Sequence, residues 1–287
     1  MGALAKFATS AATPATEPFA FISESMGKRQ SIVERDGIKG TRSHMSLDTR
    51  LGNAPVDGTI VLEPTPEDLA IWFPRILGTA ANGTSYVLAE TIPDFFMVID
   101  RVAKVFTYTK NWVDRATFTG SEGQPIRLSM DIVGTDETVG NSGTFPALTL
   151  AYTTPYMFSD MVLTLAGSAR QVKEFTLVID NHLNKERFFN STTRQLAPSE
   201  DRTITLSCTV PYSVENVALY AQALAGAAGT LVLTNANYST TFTFGILQVP
   251  YDTPNVAGKG EVMLTLNMIA KKVNTTMELA VTHDSTP

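Results

Sequence analysis

One stretch of this 287-residue chain is said twice. Thr59–Gly78 reads TIVLEPTPEDLAIWFPRILG and Thr203–Gly226 reads TITLSCTVPYSVENVALYAQALAG. In both, a short alternating strand enters a Thr/Pro-containing turn, followed by an amphipathic helical pattern that stops at glycine. Ile60 and Leu62 align with Ile204 and Leu206, Glu67–Trp72 with Glu215–Tyr220, and Gly78 with Gly226. The copies lie roughly 145 residues apart, a domain-sized spacing rather than a solenoid period. The expectation is a tandem duplication of one small domain.

The helical half of the unit carries its own punctuation. Thr65 suits the N-cap, Pro66 the first helical position, and Glu67 and Asp68 complement the helix N-terminus. Leu69, Trp72, Phe73, Ile76 and Leu77 recur at helical spacing, and Pro74 is expected to tighten or kink the middle. In the second copy Ser213 is the cap, and Val217, Tyr220, Leu224 and Ala225 form the matching face. Both stripes read as core against a sheet rather than as a cofactor box.

Strands dominate elsewhere. Phe19–Met26 is a first strand, Ser85–Leu88 aligns with Thr230–Leu233, and Phe95–Ile99 aligns loosely with Thr241–Ile246. The clearest match sets Ile126–Val133 against Val262–Ile269. Strict alternation turns Ile126, Leu128, Met130 and Ile132 inward and Arg127, Ser129 and Asp131 outward, with Met263, Thr265 and Asn267 outward in the second copy. Phe158–Leu165 and Glu174–Asp180 look like a hairpin. The chain thus reads as mainly β, with a flexible N-terminal arm (1–18), a first domain (19–151) containing a long polar loop (27–58), and a second domain (152–287). The second copy's counterpart of that loop, Asn184–Asp201, is about half as long.

Composition removes several function classes. Charged residues are 17% of the chain, low against an average near 25%. The net charge is −6, and both halves are acidic, which argues against a nucleic-acid-binding surface. Cys208 is the only cysteine, so no internal disulfide forms, and it reads as an inert core residue in a reducing compartment. No apolar run approaches the length of a membrane span. His44, His182 and His283 sit apart in polar contexts and are expected at the surface. Phosphate-loop, GxSxG and HExxH patterns are missing. Asp131 and Asn267 stand at equivalent repeat positions, pairing a carboxylate with an amide rather than two acids. An enzyme is not expected, nor any cofactor or metal.

The segments Ser23–His44, Gly58–Gly78 and Pro155–Leu183 resemble the tail tube proteins of long-tailed bacteriophages, and the likeness runs over most of the chain. It implies tandem β-sandwich or partial-barrel domains, each with one flanking helix, whose sheets join edge to edge into rings. Stacked rings would form a hollow conduit that passes viral DNA without reading its sequence. In that family a loop at the position of 27–58 mediates ring stacking, which here points to Lys28, Arg29, Arg35, Lys39, Arg42 and Arg50. Family tubes built from single-domain subunits form hexameric rings, so two domains per chain imply a homotrimer of pseudo-sixfold symmetry. The other arrangement leaves the second domain as decoration on a hexamer. Arg127, Ser129, Asp131, Thr265 and Asn267 fit either the lumen or the outer wall. The resemblance further implies a virion location, synthesis in the bacterial host cytoplasm and contacts with other tail proteins. Alternatives are another ring-forming tail or secretion-tube component, such as a terminator or distal tail protein, and a monomeric binding β-sandwich.

Overall fold

The computed structural model describes residues 6–10, 17–37, 40–141, 145, 153–212, 226–249 and 260–284. The chain runs β1 (Lys6–Ser10), β2 (Glu17–Phe19), β3 (Ser23–Glu24), β4 (Gly27–Lys28), β5 (Ile32–Glu34), β6 (Thr49–Leu51), β7 (Val56–Leu62) and the helix α1 (Pro66–Leu77). There follow β8 (Ser85–Val87), β9 (Phe95–Asp100), β10 (Lys104–Ser121), β11 (Arg127–Gly134) and β12 (Asp136–Asn141). The second half holds β13 (Met161–Leu165), β14 (Ser168–Arg170), β15 (Glu174–Asp180) and β16 (Thr203–Pro211), then β17 (Ala227–Asn235), β18 (Tyr238–Gln248), β19 (Met263–Lys271) and β20 (Leu279–Asp284). The protein is mainly β, as the alternation predicts, and every pairing of these strands is antiparallel among the described residues.

One sheet runs through both halves in the order β3/β4, β7, β11, β10, β15, β16, β19, β18. Its buried face carries Ile60, Leu62, Leu128, Met130, Ala116 and Phe118, continued by Leu177, Ile179, Leu206, Cys208, Leu264 and Leu266. The first half adds β2, β1, β9, β10 and β12 in that order, and the second adds β14, β13, β17, β18 and β20. Both halves therefore use the same strand order.

The 18-residue β10 serves two sheets because it bends. Its pairing with β9 shifts between Tyr108 and Asn111, and its pairing with β11 shifts between Val113 and Arg115. Lys110 takes φ 48° at the first shift. Asn111 is fully buried there, and its Nδ2 donates to the carbonyls of Phe95 and Tyr108, both at 3.0 Å. Bulges at such corners let one strand turn from sheet to sheet.

Helix α1 has the ends its sequence predicts. Thr65 Oγ1 accepts from Asp68 N at 3.3 Å, and Asp68 Oδ2 accepts from Thr65 N at 3.0 Å, a capping box. Gly78 closes the helix at φ 96°, where a Cβ would also meet the Thr91 carbonyl at 2.7 Å. Leu69, Trp72, Phe73 and Ile76 are fully buried. Trp72 meets Phe19 and Phe95 edge-on at 5.1 and 5.6 Å, and Phe73 meets Phe242 at 5.8 Å. The first helix thus packs against strands of both halves. Val217, Tyr220 and Leu224 lie outside the described residues.

Several expectations are corrected. Lys6–Ser10 is not a free arm, because β1 pairs with both β2 and β9. Phe158–Leu165 and Glu174–Asp180 do not form a hairpin. Ala166 and Gly167 both take positive φ, 53° and 78°, making a tight turn that returns β13 along β14, while β15 enters the other sheet. Nor do Ser85–Leu88 and Thr230–Leu233 correspond: β17 holds the place of β9, and β8 pairs with β20 instead. Thr241–Ile246 lies in β18, the place of β10, not of β9.

Ile60 and Leu62 also have different counterparts from those the sequence suggests. Leu62 faces Leu128 and Ile60 faces Met130, while Val210 faces Leu264 and Cys208 faces Leu266. With Leu128 set against Leu264, Leu62 therefore corresponds to Val210 and Ile60 to Cys208. This offset is the one that relates Thr65 to Ser213 and Gly78 to Gly226, so strand and helix match without a gap.

His283 is 2% exposed rather than at the surface, its Nδ1 lying 2.8 Å from Thr240 Oγ1. It shares the parity of Leu279 and Val281 on β20, and period-two geometry turns it inward.

Candidate functional site

Three surfaces stand out among the described residues: the polar face of the long sheet, its ends, and the hairpin of residues 27–58. The polar face follows from alternation. Arg127, Ser129 and Asp131 on β11 and Thr265 and Asn267 on β19 all point away from the core, so the structure brings the two rows onto one face of one sheet. Between them lie Thr117 and Thr119 on β10, Thr176 on β15, and Thr205, Ser207 and Thr209 on β16. Hydroxyl and β-branched side chains suit such a half-covered pleat.

The charges on this face are largely matched within it. Arg115 stands opposite Asp180 across the β10–β15 ladder, with Nε 2.8 Å from Oδ2, and this carboxylate holds the guanidinium above its usual range. Thr59 Oγ1 donates to Asp131 Oδ1 at 2.7 Å, and Arg127 lies 3.7 Å from Glu63. Arg115 and Asp180 carry no motif that singles them out in the sequence. Their signal was the alternation of Arg115, Thr117 and Thr119 and of Glu174, Thr176, Val178 and Asp180.

The ends of the sheet differ from its middle. The β10–β15 ladder runs from Arg115↔Asp180 to Ser121↔Glu174 and joins the two four-strand units inside the chain. Among the described residues, β3 and β4 pair with β7 alone, leaving their outer edge open. Gly58 permits the irregularity between them, since a Cβ there would meet the Met26 backbone at 2.5 Å. At the opposite end β18 meets β19 through Ile246–Gln248, and Leu247 is also paired with Ala227 on β17. Open edges invite pairing with another chain.

The loop 27–58 is a hairpin rather than a structureless excursion. The ladder of β4 with β7 continues through Arg29 N to Pro55 O at 2.9 Å and Ser31 N to Asn53 O at 3.1 Å, reaching β5–β6. Arg29, Arg35, Arg42 and Arg50 are exposed along it, and Lys39 lies outside the described residues. Lys28 is tied down at the root, its Nζ 2.6 Å from Asp136 Oδ1, which keeps that carboxyl below its usual range. The outer part also exposes Ile32 (69%), Val33 (57%), Leu47 (95%) and Leu51 (67%), with Ile32 and Leu51 facing each other across the β5–β6 ladder.

Cys208 is buried, and its thiol is pushed up to about 12 by desolvation, as its apolar strand implies. Among the described residues there is no group of three His, Cys, Asp or Glu side chains able to hold a metal ion, and no helix is long and apolar enough to cross a membrane.

No curated protein matches the sequence. A family model described as phage tail tube protein matches residues 2–270, nearly the whole chain. The strand-dominated fold, the open β3/β4 edge and the exposed hairpin suit a subunit that assembles with copies of itself and with other tail proteins. The chain belongs to the phage tail tube protein family, structural proteins of the virion tail.

Proposed function

We propose that three chains close a ring of pseudo-sixfold symmetry and that stacked rings form the hollow conduit for viral DNA. The observation that carries this reading is the β10–β15 ladder, which joins two four-strand units of the same order within one chain. The β18–β19 end of one chain meets the open β3/β4 edge of the next in the same manner, and three such joints close the sheet. Closure removes the open edges that a free subunit carries. Each chain supplies two ring positions, corresponding to two tube-like domains.

In the closed ring, the face bearing Arg127, Ser129, Asp131, Thr265 and Asn267 lines the lumen, and α1 lies on the opposite face. Paired cations and hydroxyls offer DNA phosphates little to bind, so the polymer slides without sequence recognition. The projecting hairpin carries ring stacking. Its exposed arginines steer it, while Ile32, Val33, Leu47 and Leu51 supply the apolar area buried against the next ring. Negative-stain microscopy of the purified protein tests the assembly: long stacked tubes support it, whereas unassembled monomers at high concentration overturn it.

A further inference from the structure

Asn184–Asp201 connects β15 to β16, the place that the projecting hairpin holds between β4 and β7. This second connection folds back instead, onto the root of the hairpin. Arg194 is 2% exposed at its centre. Its Nη1 donates to the carbonyls of Val56 at 3.1 Å and Gly134 at 2.7 Å, and its Nε to the Lys185 carbonyl at 2.8 Å. Nη2 lies 3.0 Å from Asp57 Oδ1, and the guanidinium stacks over Phe188 at 5.4 Å. Nearby, Ala54 N donates to the Thr192 carbonyl at 2.8 Å.

These contacts fall where the hairpin re-enters the body. Val56 and Asp57 open β7, and Gly134 closes β11. The outgoing strand is held separately by Lys28 and Asp136. A two-stranded ribbon is marginally stable alone, so its direction is set at its root. A buried guanidinium is well shaped to set it, because its planar fork reaches two carbonyls and a carboxylate at once, and displacing it would strand a charge.

We propose that Arg194 is a positioning residue for assembly, through which the shorter loop of the second half fixes the angle of the stacking hairpin of the first. The pseudo-equivalent loops are thereby divided in labour, one projecting and one bracing. The proposal rests on the hairpin's stacking role, and its test separates the two.

The test uses the full chain carrying Arg194→Met, with trypsin cleavage after Arg29, Arg35, Arg42 and Arg50 followed by mass spectrometry. Microscopy of the assembled material is read alongside. Loss of the three guanidinium hydrogen bonds and the Asp57 ion pair should speed hairpin cleavage by about 10-fold or more while the body resists. Rings should form and tubes should be short or missing. A folded variant cleaved in the hairpin at the wild-type rate overturns the proposal, as does one that releases the hairpin yet stacks normally. If Arg194→Met does not fold, Arg194→Lys, which keeps the charge but not the fork, is scored identically. If the wild-type chain makes no tubes while the variant still frees its hairpin, the brace stands and the stacking reading fails.

Discussion

The hydroxyl of Thr59 on β7 donates to the carboxylate of Asp131, its direct cross-strand neighbour on β11, at 2.7 Å. Ser207 and Asn267 repeat the contact on β16 and β19 at 2.8 Å. Hydroxyl and acceptor thus face one another at the same register in both halves, on the polar face of a sheet that spans them. The pair carries a carboxylate in one half and an amide in the other.

That difference makes Asp131 the place to test the lumen. Asp131→Lys should assemble, although the introduced ammonium stands directly across from Arg115 on β10, a like-charge contact costing up to about 1 kcal/mol. DNA ejection should slow, and added salt should relieve the slowing, as expected for new phosphate contacts. Normal ejection from normally assembled tubes would remove Asp131 from the conduit.

Trp72→Ala should destabilise the unassembled chain by about 3–5 kcal/mol, the range for a fully buried large aromatic. The indole touches Phe19 and Phe95, and it is completely covered. Denaturant midpoints for the two proteins measure the loss. A change below about 1 kcal/mol would mean that α1 is not packed as described.

His283 predicts a dependence on pH. Burial lowers its folded pKa below the ordinary 6.5, so the unfolded chain takes up a proton there that the native one does not. Stability is then full above pH 6.5 and falls as pH drops below it, by up to about 1.4 kcal/mol per unit until the folded pKa is reached. Replacing His283 with Asn should flatten this part of the profile. An unchanged slope in the variant, followed by thermal or urea unfolding, would assign the effect to other groups.

Ile32→Glu with Leu51→Lys, an opposite-charge pair across the β5–β6 ladder, tests the apolar part of the hairpin. Both residues are more than half exposed, so stability should move by no more than about 0.5 kcal/mol each. Rings should persist while stacking fails. Tubes of wild-type length would leave the exposed arginines as the stacking contacts.

The sequence was most readable where period and punctuation agreed. Thr65, Pro66, Asp68 and Gly78 marked both ends of α1, and strict alternation placed Arg127, Ser129 and Asp131 outward. It was least readable where tertiary pairing decides. Ile60 and Ile204 align by eye because alternating apolar residues match equally well at any even shift, and only the cross-strand partners Met130 and Leu266 tie Ile60 to Cys208. Ala166–Gly167 is too short a signal to show that β13 and β15 part into different sheets. Arg194 carried no motif at all, since its partners are mostly backbone carbonyls from distant strands.

The number of chains in one ring tests the central claim most directly. Native mass spectrometry of isolated rings, or particle averaging along the tube axis, counts them. The β10–β15 ladder read as an internal copy of the joint between chains predicts three chains of 31.0 kDa per ring. Six chains per ring would contradict it and leave the second half outside the conduit.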